Sequence, residues 1–161
     1  MKAFILLPNS KPSNRFMTTI QQQKELSFKN ACVSFMFSYQ QRNVEKMLSF
    51  CDPLGEVYFK PLGEAGKGKI IELGKAIWTS LIDCFPDIDN TVDAAIAEDG
   101  DAVRCQVVIR GTQQKDFADI PTKGKHFDSD HIFIFHLNDG GKIDRIEIEW
   151  DHADLKRQLG S

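Results

Sequence analysis

The sequence predicts an α+β domain, because helical periodicity dominates its first half and strand periodicity its second. Residues 19–43 read TIQQQKELSFKNACVSFMFSYQQRN, with apolar side chains at the spacing of one long helix. From residue 90 the period changes to two, in segments separated by Asp-Gly and Gly-Gly turns. Helices followed by a meander of strands are typical of α+β folds. The predicted shape is a cone-shaped α+β barrel, in which a curved antiparallel sheet wraps around the first helix and leaves a cavity at its wide end.

The remaining elements follow from caps and helix breakers. The second helix lies in NVEKMLSFCDP, where the Asn43 side chain can accept free amide protons and Pro53 prevents continuation. A strand over GEVYFKPLG precedes the third helix, GKGKIIELGKAIWTSLIDCFPDI, which Pro86 ends. Four strands come next, in NTVDAAIAEDG, DAVRCQVVIRGT, KHFDSDHIFIFHLNDGG and KIDRIEIEW. A short helix closes the chain, with Asp151 or His152 near its N-cap.

Length and charge indicate one domain that does not bind polyanions. The 161 residues suit a single domain, placed at residues 19–161 after a flexible extension over residues 1–18. The net charge of −3 and the scattered basic residues exclude nucleic acid as a partner. The opening apolar run is too short for a signal peptide or a membrane span, so we expect a cytoplasmic protein without membrane contact. The cysteines have apolar neighbours and are expected as free buried thiols rather than two disulfides: Cys32, Cys51, Cys84 and Cys105.

Four segments together suggest a known family. They are FPDI at residues 85–88, RGTQQKDFADIPTKGK at 110–125, GGKIDRIEIEWD at 140–151 and RQLG at 157–160. In this order, over roughly residues 25–160, they resemble the SnoaL-like polyketide cyclase family, which has the nuclear transport factor 2-like, or cystatin-like, fold. The resemblance implies an α+β barrel with an internal pocket for an apolar small molecule. It also implies a homo-oligomer packed through the sheet, so we expect a homodimer.

The resemblance implies that cyclases of this family close a ring with an acid–base Asp in the last strand, assisted by pocket histidines. Counting without a gap from GKI to RQLG puts the Asp position on Ile148. The pocket histidine positions fall on Ile146 and Phe133, and none of these three side chains can transfer a proton. In the central loop, Gln113 replaces the family's His. From the resemblance we therefore expect an internal pocket, but we do not infer cyclase activity from it.

Candidate functional residues are expected on the inward face of the sheet. Alternation places Ile146, Ile148 and Trp150 on that face, because burying unpaired carboxylates costs far more than burying Ile or Trp. The alignment also puts His131 on the pocket wall, which makes it the best titratable candidate. The expected catalytic residues are His131 and Asp151. The expected substrate pocket contains Tyr58, Lys60, Phe133, Phe135, Ile146, Ile148 and Trp150.

Each polar candidate also has a purely structural interpretation. Asp151 suits the N-cap of the last helix, His131 a satisfied position at the barrel rim, and Lys60 a solvated charge. His152 is expected at the surface of the same turn as Asp151. On the outer face, we expect cross-sheet ion pairs between two arginines of the strand DAVRCQVVIRGT and glutamates of the last strand: Arg104 and Arg110 with Glu147 or Glu149.

Three functions stay open from the sequence. The chain could be a cyclase-like or isomerase-like enzyme for an apolar, carbonyl-bearing small molecule, a non-catalytic domain that binds a hydrophobic ligand, or an assembly domain that packs through its sheet. No cofactor and no metal are expected. The reason is that the sequence contains no phosphate-binding Gly loop, no dinucleotide fingerprint and no cluster with metal-ligand spacing.

Overall fold

A computed structural model describes residues 11–161, and side chains from residue 19 onward. The helices are α1 (Lys11–Gln40), α2 (Val44–Ser49), α3 (Lys75–Cys84) and α4 (His152–Gln158). The strands are β1 (Cys51–Phe59), β2 (Lys67–Lys69), β3 (Asp89–Glu98), β4 (Ala102–Thr112), β5 (His126–Leu137) and β6 (Ile143–Trp150). A 3₁₀ segment at Lys60–Gly66 and a π-helical turn at Ile70–Gly74 connect β1, β2 and α3.

The six strands form one curved sheet in the order β2-β1-β6-β5-β4-β3. This arrangement confirms the predicted α+β class. Two details differ from the expectation. The sheet is open rather than closed into a barrel, and β1 pairs with β6 in parallel, whereas all other pairs are antiparallel. Period-two patterning predicts that a segment is a strand, but it does not give the direction in which strands distant in sequence pair.

Helix α1 supplies one side of the core. Its buried positions recur at helical spacing and contact the sheet and α3. The Phe35 ring meets the Phe135 ring of β5 at 5.4 Å and the Trp78 ring of α3 at 5.3 Å, both edge to face. These contacts join α1, the sheet and α3 through one cluster of aromatic rings in the core.

The start of α1 differs from the sequence expectation. The helix begins at Lys11, eight residues before Thr19, so the predicted boundary at residue 18 falls within it. Residues 1–10 of the proposed extension lie outside the described residues. Strand β1 also begins earlier than predicted, at Cys51, and a register shift between Cys51 and Glu56 accommodates Pro53 within it.

The outer face of the sheet carries the charged side chains that alternation predicts. Glu149 is exposed, and Glu147 lies 3.7 Å from the Lys60 ammonium and 3.3 Å from the Arg145 guanidinium. Arg110 does not reach either glutamate. It bonds instead to Asp89 and Asp128, because β4 lies next to β3 and β5 and is separated from β6 by β5.

The four thiols are free and buried, as the sequence predicts. Burial raises the pKa of Cys51 to about 12 and that of Cys105 to about 11, so both stay protonated and unreactive near neutral pH. Within residues 11–161, no helix combines the length and the apolar character needed to cross a membrane.

Candidate functional site

A cavity of about 70 Å³ lies between the sheet and the helices α1, α3 and α4. Its inner end is formed by fully buried side chains from α1, α3 and the strands, among them Tyr39, Trp78, Phe133 and Ile148. Its outer end is formed by half-exposed side chains, among them Leu62, Phe117, Trp150 and His152. The wall is almost entirely aromatic and aliphatic, which suits an apolar ligand.

The cavity is small for a ring-shaped ligand. One water needs about 10–15 Å³, and an apolar cavity that holds benzene measures about 150 Å³. At about 70 Å³ the space lies between these values, so a ring enters only if part of the wall shifts. The half-exposed Leu62, Phe117 and His152 lie at the outer end of the wall and mark the expected route of entry.

His131 on β5 lies on the cavity wall. Its ring stacks on Trp150 at 5.4 Å, the residue opposite it in the β5–β6 register. Its Nδ1 lies 3.0 Å from the Ser129 carbonyl oxygen. A carbonyl oxygen only accepts, so Nδ1 must carry the proton and Nε2 is left as a lone-pair acceptor. No residue in the described part of the chain forms a hydrogen bond with that Nε2.

Burial lowers the pKa of His131 to about 4, although the Ser129 carbonyl and the Asp130 carboxylate both raise it. The imidazole is therefore neutral near pH 7, with its proton on Nδ1 and an unprotonated Nε2. A neutral imidazole with a free nitrogen on an apolar wall can accept a proton or a hydrogen bond from a ligand.

His152 is a cavity residue that the sequence interpretation placed at the surface. It begins α4, is half-buried and lines the outer end of the cavity. The Trp150 indole Nε1 donates a hydrogen bond to His152 Nδ1 at 3.2 Å. Because Nδ1 accepts that bond, a neutral His152 carries its proton on Nε2. Trp150 therefore contacts both cavity histidines, one by stacking and one by hydrogen bonding.

Three of the predicted pocket residues line the cavity: Phe133, Ile148 and Trp150. Phe133 and Ile148 are direct partners across β5 and β6 and face the cavity side by side. These are the positions at which the resemblance places a pocket histidine and the acid–base Asp. The wall at the family's acid–base position is therefore apolar, and the titratable group lies two cross-strand pairs further along, at His131.

The other predicted pocket residues lie elsewhere. Phe135 and Ile146 are fully buried in the core and do not line the cavity, and the Phe35 ring of α1 packs against Phe135. Tyr58 and Lys60 lie at the outer face, because Val57 and Phe59 are the inward residues of β1. The Lys67 ammonium lies over the Tyr58 ring at 4.9 Å, in a polar surface groove.

Asp151 lies outside the cavity wall and caps α4. Its carboxylate accepts a hydrogen bond from the Asp154 backbone N–H at 2.9 Å. This is the structural role that the sequence offers as the alternative to catalysis.

Glu, Asp, His and Cys side chains in the described part of the chain form no group of three that could hold a metal ion.

Replacing Asp151 by Ala should lower the free energy of unfolding by about 1 kcal/mol, because the first turn of α4 loses its acceptor. Asp151→Asn keeps an acceptor and should stay close to the wild-type protein. Urea unfolding of both variants measures the effect. Neither change should alter ligand binding, and impaired binding in Asp151→Asn at unchanged stability would place Asp151 in the site instead.

Gln113, at the position of the family's His, holds the loop that covers part of the cavity. Its side chain is fully buried and Nε2 donates to the Lys115 and Ile120 carbonyls, at 3.1 and 2.8 Å. These bonds fix the loop between β4 and β5, from which Phe117 reaches the cavity wall. Gln113 therefore positions the wall and does not itself line the cavity.

An open curved sheet around a long helix, with an apolar cavity between them, is the nuclear transport factor 2-like fold. The model of the SnoaL-like polyketide cyclase family matches residues 34–159, and the chain belongs to that family. No curated protein shows a recognisable sequence match to the chain.

Solved structures share the fold at low sequence identity. TsrD from Streptomyces laurentii is 24% identical with a TM-score of 0.71, over 84% of this chain and 96% of TsrD. A protein from Jannaschia sp. CCS1, grouped with SnoaL-like polyketide cyclases, is 19% identical with a TM-score of 0.74, over 84% of this chain and 93% of that one. IdmH from Streptomyces antibioticus is 21% identical with a TM-score of 0.70, over 83% and 99% of the two chains.

Proposed function

We propose that the chain is an enzyme of the cyclase or isomerase type, which moves a proton on an apolar, carbonyl-bearing small molecule in the cavity. The observation that carries the proposal is His131, a neutral imidazole on an apolar wall whose Nδ1 is held by Ser129 and whose Nε2 has no partner among the described residues. That arrangement gives one nitrogen free for a ligand and a fixed ring orientation.

The proposed step is an enolisation. His131 Nε2 accepts a proton from a carbon next to the ligand carbonyl, and the electrons of the broken C–H bond form an enolate. With a β,γ-unsaturated ketone, the imidazolium returns the proton to the γ-carbon of the dienolate and the double bond moves into conjugation. In a ring closure, the enolate carbon attacks a second carbonyl, and the imidazolium gives its proton to the alkoxide oxygen that forms. Because His131 is a weak base, with a pKa of about 4, the step depends on hydrogen bonds that stabilise the enolate oxygen.

A non-catalytic binding role is the second candidate, and the apolar Ile148 and Phe133 favour it. These two residues occupy the positions where the family's reaction needs proton-transferring groups. A binding domain would use the same cavity for a hydrophobic ligand and would leave it chemically unchanged.

Hydrogen–deuterium exchange of 2-indanone in D₂O separates the two candidates, because its methylene protons lie between a ring and a carbonyl. Proton NMR should show exchange faster with the wild-type protein than in buffer alone. His131→Phe keeps an aromatic ring against Trp150 but removes the base, and it should return the rate to that of buffer.

His126→Phe is the matched control, because His126 is exposed and lies outside the cavity wall. It should exchange 2-indanone at the wild-type rate. Binding of 2-indanone without any catalysed exchange would leave the non-catalytic role in place of the enzyme. Equal exchange in the wild type and in His131→Phe would show that His131 is not the base.

A homodimer through the outer face of the sheet is also proposed. One cross-strand row on this face runs through Ile96, Arg104, Ile134 and Glu147, alternating apolar and charged side chains. Ile96 is 47% exposed and Ile134 is half-exposed. Such a row can pair with its own copy about a two-fold axis, with arginine facing glutamate and isoleucine facing isoleucine.

Sedimentation equilibrium should give about twice the chain mass of 18.2 kDa. Ile134→Glu introduces a charge into the apolar part of the row and should shift the mass to that of one chain, with the 2-indanone exchange rate retained. A wild-type mass equal to one chain over a wide concentration range would exclude the dimer.

The free buried thiols support a reducing location, and we propose the cytoplasm.

A further inference from the structure

Tyr39 is a polar residue of the cavity that the enolisation step leaves without a role. It lies in the last turn of α1, is 2% exposed and lines the cavity. No hydrogen bond joins its hydroxyl to any residue in the part of the chain that the structure describes. A hydroxyl that has no protein partner but is still accessible from a cavity is free to donate to a ligand oxygen there. The Tyr39 hydroxyl therefore offers a hydrogen-bond partner to a ligand in this cavity.

The end of α1 holds Tyr39 in a fixed place. The Asn90 side chain donates to the Met36 carbonyl at 3.1 Å, and the Gln40 side chain donates to the Asp89 carboxylate at 2.8 Å. These bonds tie the last turn of α1 to the start of β3. A donor held in this way needs no reorganisation when a ligand oxygen arrives.

The hydroxyl can only be a neutral group here. Burial raises the pKa of Tyr39 well above its usual range, so the phenol keeps its proton near neutral pH. It therefore offers a hydrogen to a ligand oxygen. Nε2 of His131, on the same cavity wall, is instead an acceptor.

We infer that the Tyr39 hydroxyl is the hydrogen-bond donor for the ligand's carbonyl oxygen, and that it and His131 Nε2 together select a ring compound with an acidic C–H next to a ketone. The inference rests on the proposed function, since it assigns the group that holds the enolate oxygen while His131 accepts the proton. Tyr39 and His131 line the same cavity, so a ligand bound there contacts both residues.

The experiment compares Tyr39→Phe with wild type for two ligands of the same shape, 2-indanone and indane, which lacks the oxygen. Titration calorimetry should give an affinity of the wild type for 2-indanone that Tyr39→Phe lowers about five- to tenfold, the usual effect of one neutral hydrogen bond. The affinity for indane should stay unchanged. The infrared carbonyl stretch of bound 2-indanone should move towards that of the free ketone in Tyr39→Phe, a change that a merely structural role would not produce.

Tyr58→Phe is the matched control, because Tyr58 is the chain's second tyrosine and lies in the outer groove. It should bind both ligands like the wild type. The inference is overturned if Tyr39→Phe binds 2-indanone as tightly as the wild type does, if the wild type binds neither ligand, or if Tyr39→Phe lowers Tm by more than about 4 °C, which would indicate a partner within the protein.

The two proposals fail separately. A wild-type protein that prefers 2-indanone through Tyr39 but does not exchange its protons would support Tyr39 as the carbonyl donor and overturn the enzyme. Catalysed exchange with an unchanged rate in Tyr39→Phe would support the enzyme and overturn the role of Tyr39.

Discussion

Phe35→Ala should lower the free energy of unfolding by about 3–5 kcal/mol. The Phe35 ring is fully buried and joins α1 to β5 and α3 through edge-to-face contacts with Phe135 and Trp78. Removing it leaves a cavity at the point where the three layers meet, and the rigid aromatic neighbours cannot close it. A domain of this size is stable by only about 5–15 kcal/mol, so the loss is a large part of the total.

Phe37→Ala is the matched control on the same helix, since the Phe37 side chain is 55% exposed. It should change the free energy of unfolding by no more than about 0.5 kcal/mol. Urea denaturation at pH 7 measures both variants. Similar losses in the two variants would contradict the assigned inward face of α1, and with it the placement of Tyr39 in the cavity.

His131 should make the protein less stable as the pH falls. Its pKa is about 4 in the folded protein against 6.5 for an unperturbed His, so between these values the unfolded chain binds the proton more tightly. The contribution of the neutral His131 to the free energy of unfolding is complete above pH 6.5 and is lost progressively as the pH falls towards 4. The difference between the two pKa values corresponds to about 3 kcal/mol.

The His131→Phe variant isolates this effect from the acid titration of other groups. Urea unfolding of wild type and variant at pH 7, 5.5 and 4.5 should show the wild type losing more stability than the variant, with the gap approaching about 3 kcal/mol near pH 4. His126→Phe, which removes an exposed histidine outside the cavity wall, should keep the loss of stability that is assigned to His131. If His131→Phe also keeps it, then His131 is not buried in the neutral form and the proposed base is lost.

The elements of the fold are largely predictable from the sequence, because each is encoded locally. The long helical run of α1, the Asn43 cap and the alternation of β6 all appear in the structure. The parallel pairing of β1 with β6 is not predictable in this way, since the two strands lie far apart in sequence. Tyr58 lies at the outer face because Val57 and Phe59 are the inward residues of β1; its expected place in the pocket came from the family resemblance and not from the alternation of β1.

The site is less predictable than the fold. Alternation along β5 and β6 is enough to place His131 next to Phe133 and Ile148 next to Trp150. The buried face of α1 also contains Tyr39, at helical spacing from Phe35 and Met36. This spacing predicts that Tyr39 is buried, but it does not distinguish a cavity residue from an ordinary core residue. His152 gave no such signal, because the angle at which α4 leaves β6 is a tertiary property.

A crystal structure of the protein with 2-indanone tests the central claim most directly. The account predicts density for the ring in the cavity, against Phe133 and Trp150, with the ketone oxygen about 2.6–3.2 Å from the Tyr39 hydroxyl and a methylene carbon facing His131 Nε2. Density for the ring elsewhere on the protein, or a cavity in which a protein group occupies His131 Nε2, would contradict it.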